Sequence, residues 1–161
     1  ETLSSISPFE QIKSVLSIVS SFKDILFIFT APNIDTGFKI FFDEIKKFQK
    51  KNKNLIFIKS LGSDYYYSFI EITDGVVKNS SSGIVEVPYF KKGTVNIGDR
   101  QKGRPLERTI ISARFDKFEI KKSIRKLYSK KFKNSLKSFK ATKYGLPGAS
   151  KKIIKSIENI I

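Results

Sequence analysis

Short runs of β-branched and aromatic residues recur along this chain, and amphipathic helical patterns lie between most of them. The runs fall at residues 25–30 (ILFIFT), 55–59 (LIFIK), 76–77 (Val-Val), 93–97 (GTVNI) and 109–113 (TIISA). Phe9, Ile12, Val15, Leu16 and Val19 form one apolar stripe at helical spacing; Phe38, Phe41, Phe42, Ile45 and Phe48 form a second. Helices are also expected over residues 64–72 and 81–88, from about Asp116 through Tyr128, and over the terminal isoleucines from Ile153 to Ile161. Uninterrupted apolar strands are buried on both faces, so the pattern predicts an α/β fold: a Rossmann-like parallel sheet with helices on both faces. Residues 1–161 read as one domain, with neither an internal repeat nor a low-complexity linker. Ser7-Pro8-Phe9-Glu10 is a helix start, with Ser7 as cap, Pro8 in the first turn and Glu10 completing a capping box. That opening helix has no strand before it, so a first strand is expected upstream of Glu1. The absence of Met, with Glu1 at the start, likewise suggests a cut piece of a longer protein or a processed form.

The residues that are absent narrow the chemistry. The chain has no Cys and no His. Disulfides, Cys/His zinc sites and Ser-His or Cys-His nucleophile pairs are excluded within it, which leaves Asp, Glu, Lys or Tyr as acid or base. Neither a signal-peptide pattern nor an apolar run of membrane-spanning length is present, so a cytoplasmic location without membrane association is the expectation. The net charge of +16 brings nucleic acid into view as a partner. Half of that excess lies at residues 115–140, which hold ten Lys/Arg and two acids. A solvated, lysine-rich helix face accounts for such a run without any ligand.

In an open parallel sheet, ligands bind beyond the carboxyl ends of the strands. Four loops qualify: residues 31–37 (APNIDTG), 60–63 (SLGS), 79–83 (NSSSG) and 98–105 (GDRQKGRP). The segment 79–86, NSSSGIVE, carries the sharpest pattern. Small polar residues turn the chain into a helix, whose first amides and positive end suit an anion. Ser80, Ser81 and Ser82 add hydroxyls, Gly83 allows close backbone approach, and Glu86 one turn on suits a vicinal diol such as a ribose. Phosphate donors followed by a diol acceptor describe a nucleotide. An ordinary Ser cap with a surface Glu is the competing reading. Neither G-x-x-x-x-G-K-[ST] nor G-x-G-x-x-G occurs, which weakens ATPase and dehydrogenase readings. In the loop 98–105, Arg100 and Arg104 offer planar donor forks suited to phosphate, or form an exposed basic loop. Asn33 either caps the next helix or bonds a ligand. Tyr65, Tyr66 and Tyr67 could stack on a base, but at helical spacing one or two of them belong to the core.

Taken in order, ETLS, SPFEQI, TAPNIDTG, KSLGSDYYYSF, NSSSGIVEVPYF, TVNIGDRQKGRP and YGLPGAS span nearly the whole chain. In that order they make it resemble the C-terminal half of the hydrolysing UDP-N-acetylglucosamine 2-epimerases. The resemblance implies one half of a two-domain architecture shared with a large class of glycosyltransferases (GT-B type). The partner domain, upstream in the same protein, would supply most catalytic groups. The implied reaction eliminates UDP from the sugar nucleotide to give a glycal. Water then adds with inversion at C2, releasing N-acetylmannosamine without any metal or cofactor. Carried over by position, Ser80 and Ser81 would bind the diphosphate, Glu86 the ribose hydroxyls, and Asn33 and Arg100 further parts of UDP. Leu61 would meet the uracil through its backbone. UDP-sugar and the upstream domain are the implied partners, with a homo-oligomer open.

The chain departs from the family pattern at Lys78, where Gly is usual, at 90–93 (FKKG in place of Gly-x-Pro) and at 144–150 (YGLPGAS in place of YGDGNAS). The family's His-Pro pair would fall just before Glu1. On this reading the chain contains no catalytic residue, and alone it binds UDP weakly and turns over nothing. The other readings are a glycosyltransferase donor domain and, last, a basic nucleic-acid-binding module.

Overall fold

In the computed structural model, residues 6–31, 38–146 and 148–160 are described. The element order is α1 (Pro8–Ser20), β1 (Phe27–Thr30), α2 (Phe38–Lys51), β2 (Leu55–Ile58), α3 (Gly62–Ile72), β3 (Gly75–Lys78), α4 (Ser82–Val85), a 3-10 turn (Val87–Phe90), β4 (Gly93–Ile97), β5 (Ile110–Ala113), α5 (Lys117–Tyr128), α6 (Lys130–Lys137) and α7 (Ala149–Glu158). The capping box predicted for α1 is present: Ser7 Oγ accepts from the Glu10 amide at 3.3 Å, and Glu10 Oε2 accepts from the Ser7 amide at 3.2 Å.

All strand pairs are parallel. They form two ladders, β1–β2 and β3–β4–β5. Two apolar cores accompany them. Ile12, Leu16 and Val19 of α1 pack with Ile45 and Leu55. Ile18 and Phe22 pack with Val95, Ile111, Ile120, Ile124, Leu127, Phe132 and Leu136. Phe27 of β1 packs against both clusters, so α1 and β1 join the two ladders. Successive strand residues face opposite sides. Val95 enters the core built with α1, α5 and α6, while the next-door Thr94, also fully buried, bonds to Gly83 of α4. Helices therefore cover both faces of β4, the expected α/β arrangement.

Gly75 and Gly93 are register partners where β3 and β4 begin. The space their missing side chains leave is filled from α5 and α6. A Cβ on Gly75 would lie 2.6 Å from Leu127 Cδ2, and one on Gly93 would lie 2.5 Å from Phe132 Cε1.

Two local expectations need correction. The helix expected over 81–88 stops after four residues, and a 3-10 turn continues to Phe90. Pro88 has no N–H to extend an α-helical ladder, and Lys91 ends the turn at φ 54° in the left-handed region. The helix expected from about Asp116 through Tyr128 forms as α5; at Ser129 the backbone is extended at ψ 140°, and its hydroxyl caps a further helix, α6. α3 begins at Gly62, before Asp64. The terminal helix forms as expected, yet none of its residues is buried, and Ile153, Ile154 and Ile157 stand more than half exposed.

Candidate functional site

The carboxyl ends of the strands gather the predicted loops. Thr30 at the end of β1 and Ala31 after it, Lys59 and Ser60 after β2, Leu61 at the cap of α3, and Gly62 and Tyr66 in its first turns line a shallow depression of about 220 Å³. A larger groove, about 350 Å³, is lined by residues of α1, α2 and the turn after α2, among them Lys13, Glu44, Lys47 and Asn52. No loop that follows a strand contributes to it, so it lies outside the region where an open parallel sheet takes a ligand.

The turn after β3 is built as the 79–86 pattern requires. The carbonyls of Ser80, Ser81 and Ser82 accept the first helical bonds, from Gly83, Ile84 and Glu86. The amides that open a helix have no partner within it, but here those of Gly83 and Ile84 are already bonded to the Ser80 and Ser81 carbonyls. Ser81 is exposed and Ser80 half-buried. Ser81 has helical backbone angles (φ −58°, ψ −33°) and makes no side-chain cap, so the ordinary Ser-cap reading does not describe it. Gly83 has a different reason to be glycine from the one first considered. It is buried, and a Cβ there would meet Lys78 Cγ at 2.8 Å and Thr94 Cγ2 at 3.0 Å. The Thr94 hydroxyl donates to its carbonyl at 2.7 Å. The missing side chain lets α4 pack onto β3 and β4.

The hydroxyl of Ser82 donates to Glu86 Oε2 at 2.7 Å. The Ser82 hydroxyl is also paired with the Tyr66 hydroxyl, which in turn accepts from the Lys78 ammonium at 2.7 Å. Lys78 Nζ also sits 4.8 Å from the centre of the Tyr66 ring. Ser82 is thus engaged with Glu86 rather than offered to solvent. Tyr66 links the depression beside Leu61 to the turn after β3. Of its neighbours, Tyr67 stacks on Phe90 with centroids 5.9 Å apart, and Tyr65 is 71% exposed. None of the three is fully buried, contrary to the expectation that one or two would join the core.

The loop after β4 is tied to the same turn. Gln101 is 4% exposed, and its Nε2 donates to the Asn79 carbonyl at 2.7 Å. Arg100, beside it, is exposed. The structure therefore brings Leu61, Ser80, Ser81, Ser82, Gly83 and Glu86 together through α3 and α4, with Arg100 on a loop fastened to them. Asn33 lies outside the described residues. Reading the sequence missed Tyr66, Lys78 and Gln101 as supporting residues. Lys78 stood out only as a departure from the family, and nothing in the spacing of Gln101 marks it as a tie. Among the described residues, no three acidic side chains converge as a metal site would need. No helix among them is long and apolar enough to cross a membrane.

Comparison with known proteins bears on the family and the fold. The chain is 41% identical over 133 residues to the polysialic acid biosynthesis protein P7 of Escherichia coli, covering 82% of this chain and 34% of that protein. It is 35% identical over 127 residues to the GDP/UDP-N,N'-diacetylbacillosamine 2-epimerase (hydrolyzing) of Campylobacter jejuni, covering 78% of this chain and 33% of that enzyme. The chain thus spans about a third of the length of these curated relatives. Its fold resembles the crystal structure of the UDP-GlcNAc 2-epimerase from Neisseria meningitidis bound to UDP-GlcNAc, with a TM-score of 0.66 at 16% identity over 93% of this chain and 41% of that one. The sequence model of the UDP-N-acetylglucosamine 2-epimerase family matches residues 1–158, and the chain belongs to that family.

Proposed function

We propose that this chain is the UDP-binding domain of a hydrolysing 2-epimerase acting on a UDP-linked 2-acetamido sugar. The catalytic groups would come from a second domain of the same protein. The reading is supported most by one arrangement: a turn after β3 that carries the half-buried Ser80 and the exposed Ser81, with the Glu86 carboxylate held one turn further by Ser82. The amides and the Arg100 guanidinium take the diphosphate. Glu86 accepts from the ribose hydroxyls, and the backbone at Leu61 meets the uracil. Asn33 is assigned to the nucleotide on the family resemblance alone.

The relatives' names supply the chemistry. One is a hydrolysing 2-epimerase of a diacetylated sugar nucleotide, and another belongs to polysialic acid biosynthesis. In this reading the C2 proton and UDP are lost to give a glycal with a C1=C2 double bond; water then adds across it, hydroxyl to C1 and a proton to the opposite face of C2, which inverts C2. Incubating the intact protein with UDP-N-acetylglucosamine and water tests the reaction: free N-acetylmannosamine with UDP supports hydrolysis, whereas an epimer still bearing UDP refutes it. Calorimetric titration with UDP tests the site. Glu86→Ala should cost about 1.5–3 kcal/mol, the worth of hydrogen bonds to a charged acceptor, or roughly 10- to 100-fold in affinity. Unchanged affinity would remove Glu86 from the site.

A further inference from the structure

Glu86 does not stand alone. Its Oε2 accepts from Ser82, Ser82 is paired with Tyr66, and Tyr66 accepts from Lys78. The direction of these bonds is forced by the number of hydrogens available. A serine hydroxyl has one, and here it goes to the carboxylate. Tyr66 must therefore be the donor to Ser82, which spends its own hydrogen. The Lys78 ammonium, with three, donates to the phenol oxygen. The run is polarised from a cation at one end to a carboxylate at the other, so every link strengthens the next.

Its far end is held as well. The Lys78 stem lies against the face where Gly83 has no side chain, with Cγ only 2.8 Å from the position a Cβ would take. Its ammonium rests over the Tyr66 ring. The chain crosses from β3 through α3 to α4, so three elements fix the orientation of a single carboxylate.

Resting on the nucleotide reading above, we infer that Tyr66 is a positioning residue. Acting through Ser82 and anchored by Lys78, it aims Glu86 at a vicinal diol and makes the site selective for ribonucleotides over 2'-deoxyribonucleotides. Ser82 then serves the ribose end of the ligand through Glu86, and the diphosphate is left to Ser80, Ser81 and the turn amides. Lys78 acts at the phenol of Tyr66.

The test measures the affinities of the intact protein for UDP and for 2'-deoxy-UDP. The wild type should prefer UDP by at least ~10-fold, the loss expected for one hydrogen bond to a charged acceptor. Tyr66→Phe keeps the ring and its packing. It should lower that preference to about threefold or less, weakening UDP more than 2'-deoxy-UDP, which offers Glu86 only its 3'-hydroxyl. Ser82→Ala should do the same from the other side of the link, and Ser82→Thr, which restores a hydroxyl, should retain the preference. Equal weakening of both nucleotides by Tyr66→Phe and Ser82→Ala would assign them a general structural role and overturn the inference. So would a preference that both leave intact while Glu86→Gln abolishes it, and in that case the nucleotide reading would survive. A wild type that binds neither nucleotide, or both equally, would sink the ribose reading of Glu86 and this inference with it.

Discussion

Replacing Gly93 with alanine tests the packing that sets the sheet beneath the site. The added Cβ would lie 2.5 Å from Phe132 Cε1 and 3.1 Å from its Cζ. Ordinary carbon contacts lie near 3.5–4.0 Å, so the overlap is about 1 Å. Phe132 is 8% exposed and packed among Leu127, Leu136 and Val95, so the ring cannot swing into solvent without leaving the core. Overpacking of this kind costs about 1–3 kcal/mol. Removing glycine from a strand returns roughly 0.5–1 kcal/mol. The net loss should be about 1–2 kcal/mol, or roughly 2–8 °C in Tm for a chain of this size. Thermal unfolding followed by circular dichroism reads it directly. The cause is isolated by Phe132→Leu, which shortens the side chain that Gly93 faces. Combined with Gly93→Ala, it should cost less than the two single changes added together, with a coupling of about 1 kcal/mol. Strictly additive costs, or a Gly93→Ala protein melting at or above the wild-type temperature, would refute the argument.

Two further outcomes are expected. Glu107 is 7% exposed, and its Oε1 accepts from the amides of Thr142 and Lys143 at 2.6 Å each. Glu107→Ala should cost about 2–3 kcal/mol and speed hydrogen exchange at those two amides above others in the same segment, and unchanged exchange there would refute the role. The Glu119 carboxyl is held below the usual carboxylate range by hydrogen bonds from the Arg114 side chain and backbone. A depressed carboxylate stabilises the fold above its unfolded-state range and loses that contribution as pH falls through the folded value. The Tm difference between wild type and Glu119→Gln should therefore be positive near neutral pH and shrink in acid. A difference independent of pH would contradict it.

Where a pattern rested on local physics, the chain could be read directly. The Ser7–Glu10 capping box, the start of α5 at about Asp116 and the five described strands fall where residue type and spacing place them. So does the turn at Ser80–Ser82, since small polar residues after a strand favour it. What stayed hidden depends on contacts between distant segments. The break at Ser129 lets Phe132 turn in above Gly93, 39 residues earlier in the chain, and nothing in the lysine-rich run signals that need. Gly83 is spaced as a phosphate loop would have it, yet its neighbours are Lys78 and Thr94. Tyr66 sits among three consecutive tyrosines, and only the fold tells which one meets Ser82. The exposed isoleucines of α7 follow a helical period faithfully, but periodicity alone does not say what covers them.

The bond from Gln101 to the carbonyl of Asn79 has a mechanical consequence. A side chain this enclosed cannot exchange its partner for water without opening the loop around it. The stretch bearing Arg100 and the stretch bearing the three serines are therefore geared to one another, and neither can be repositioned by a few ångströms without pulling its neighbour. On the proposed function, a nucleotide held by one stretch would be sensed by the other through this bond.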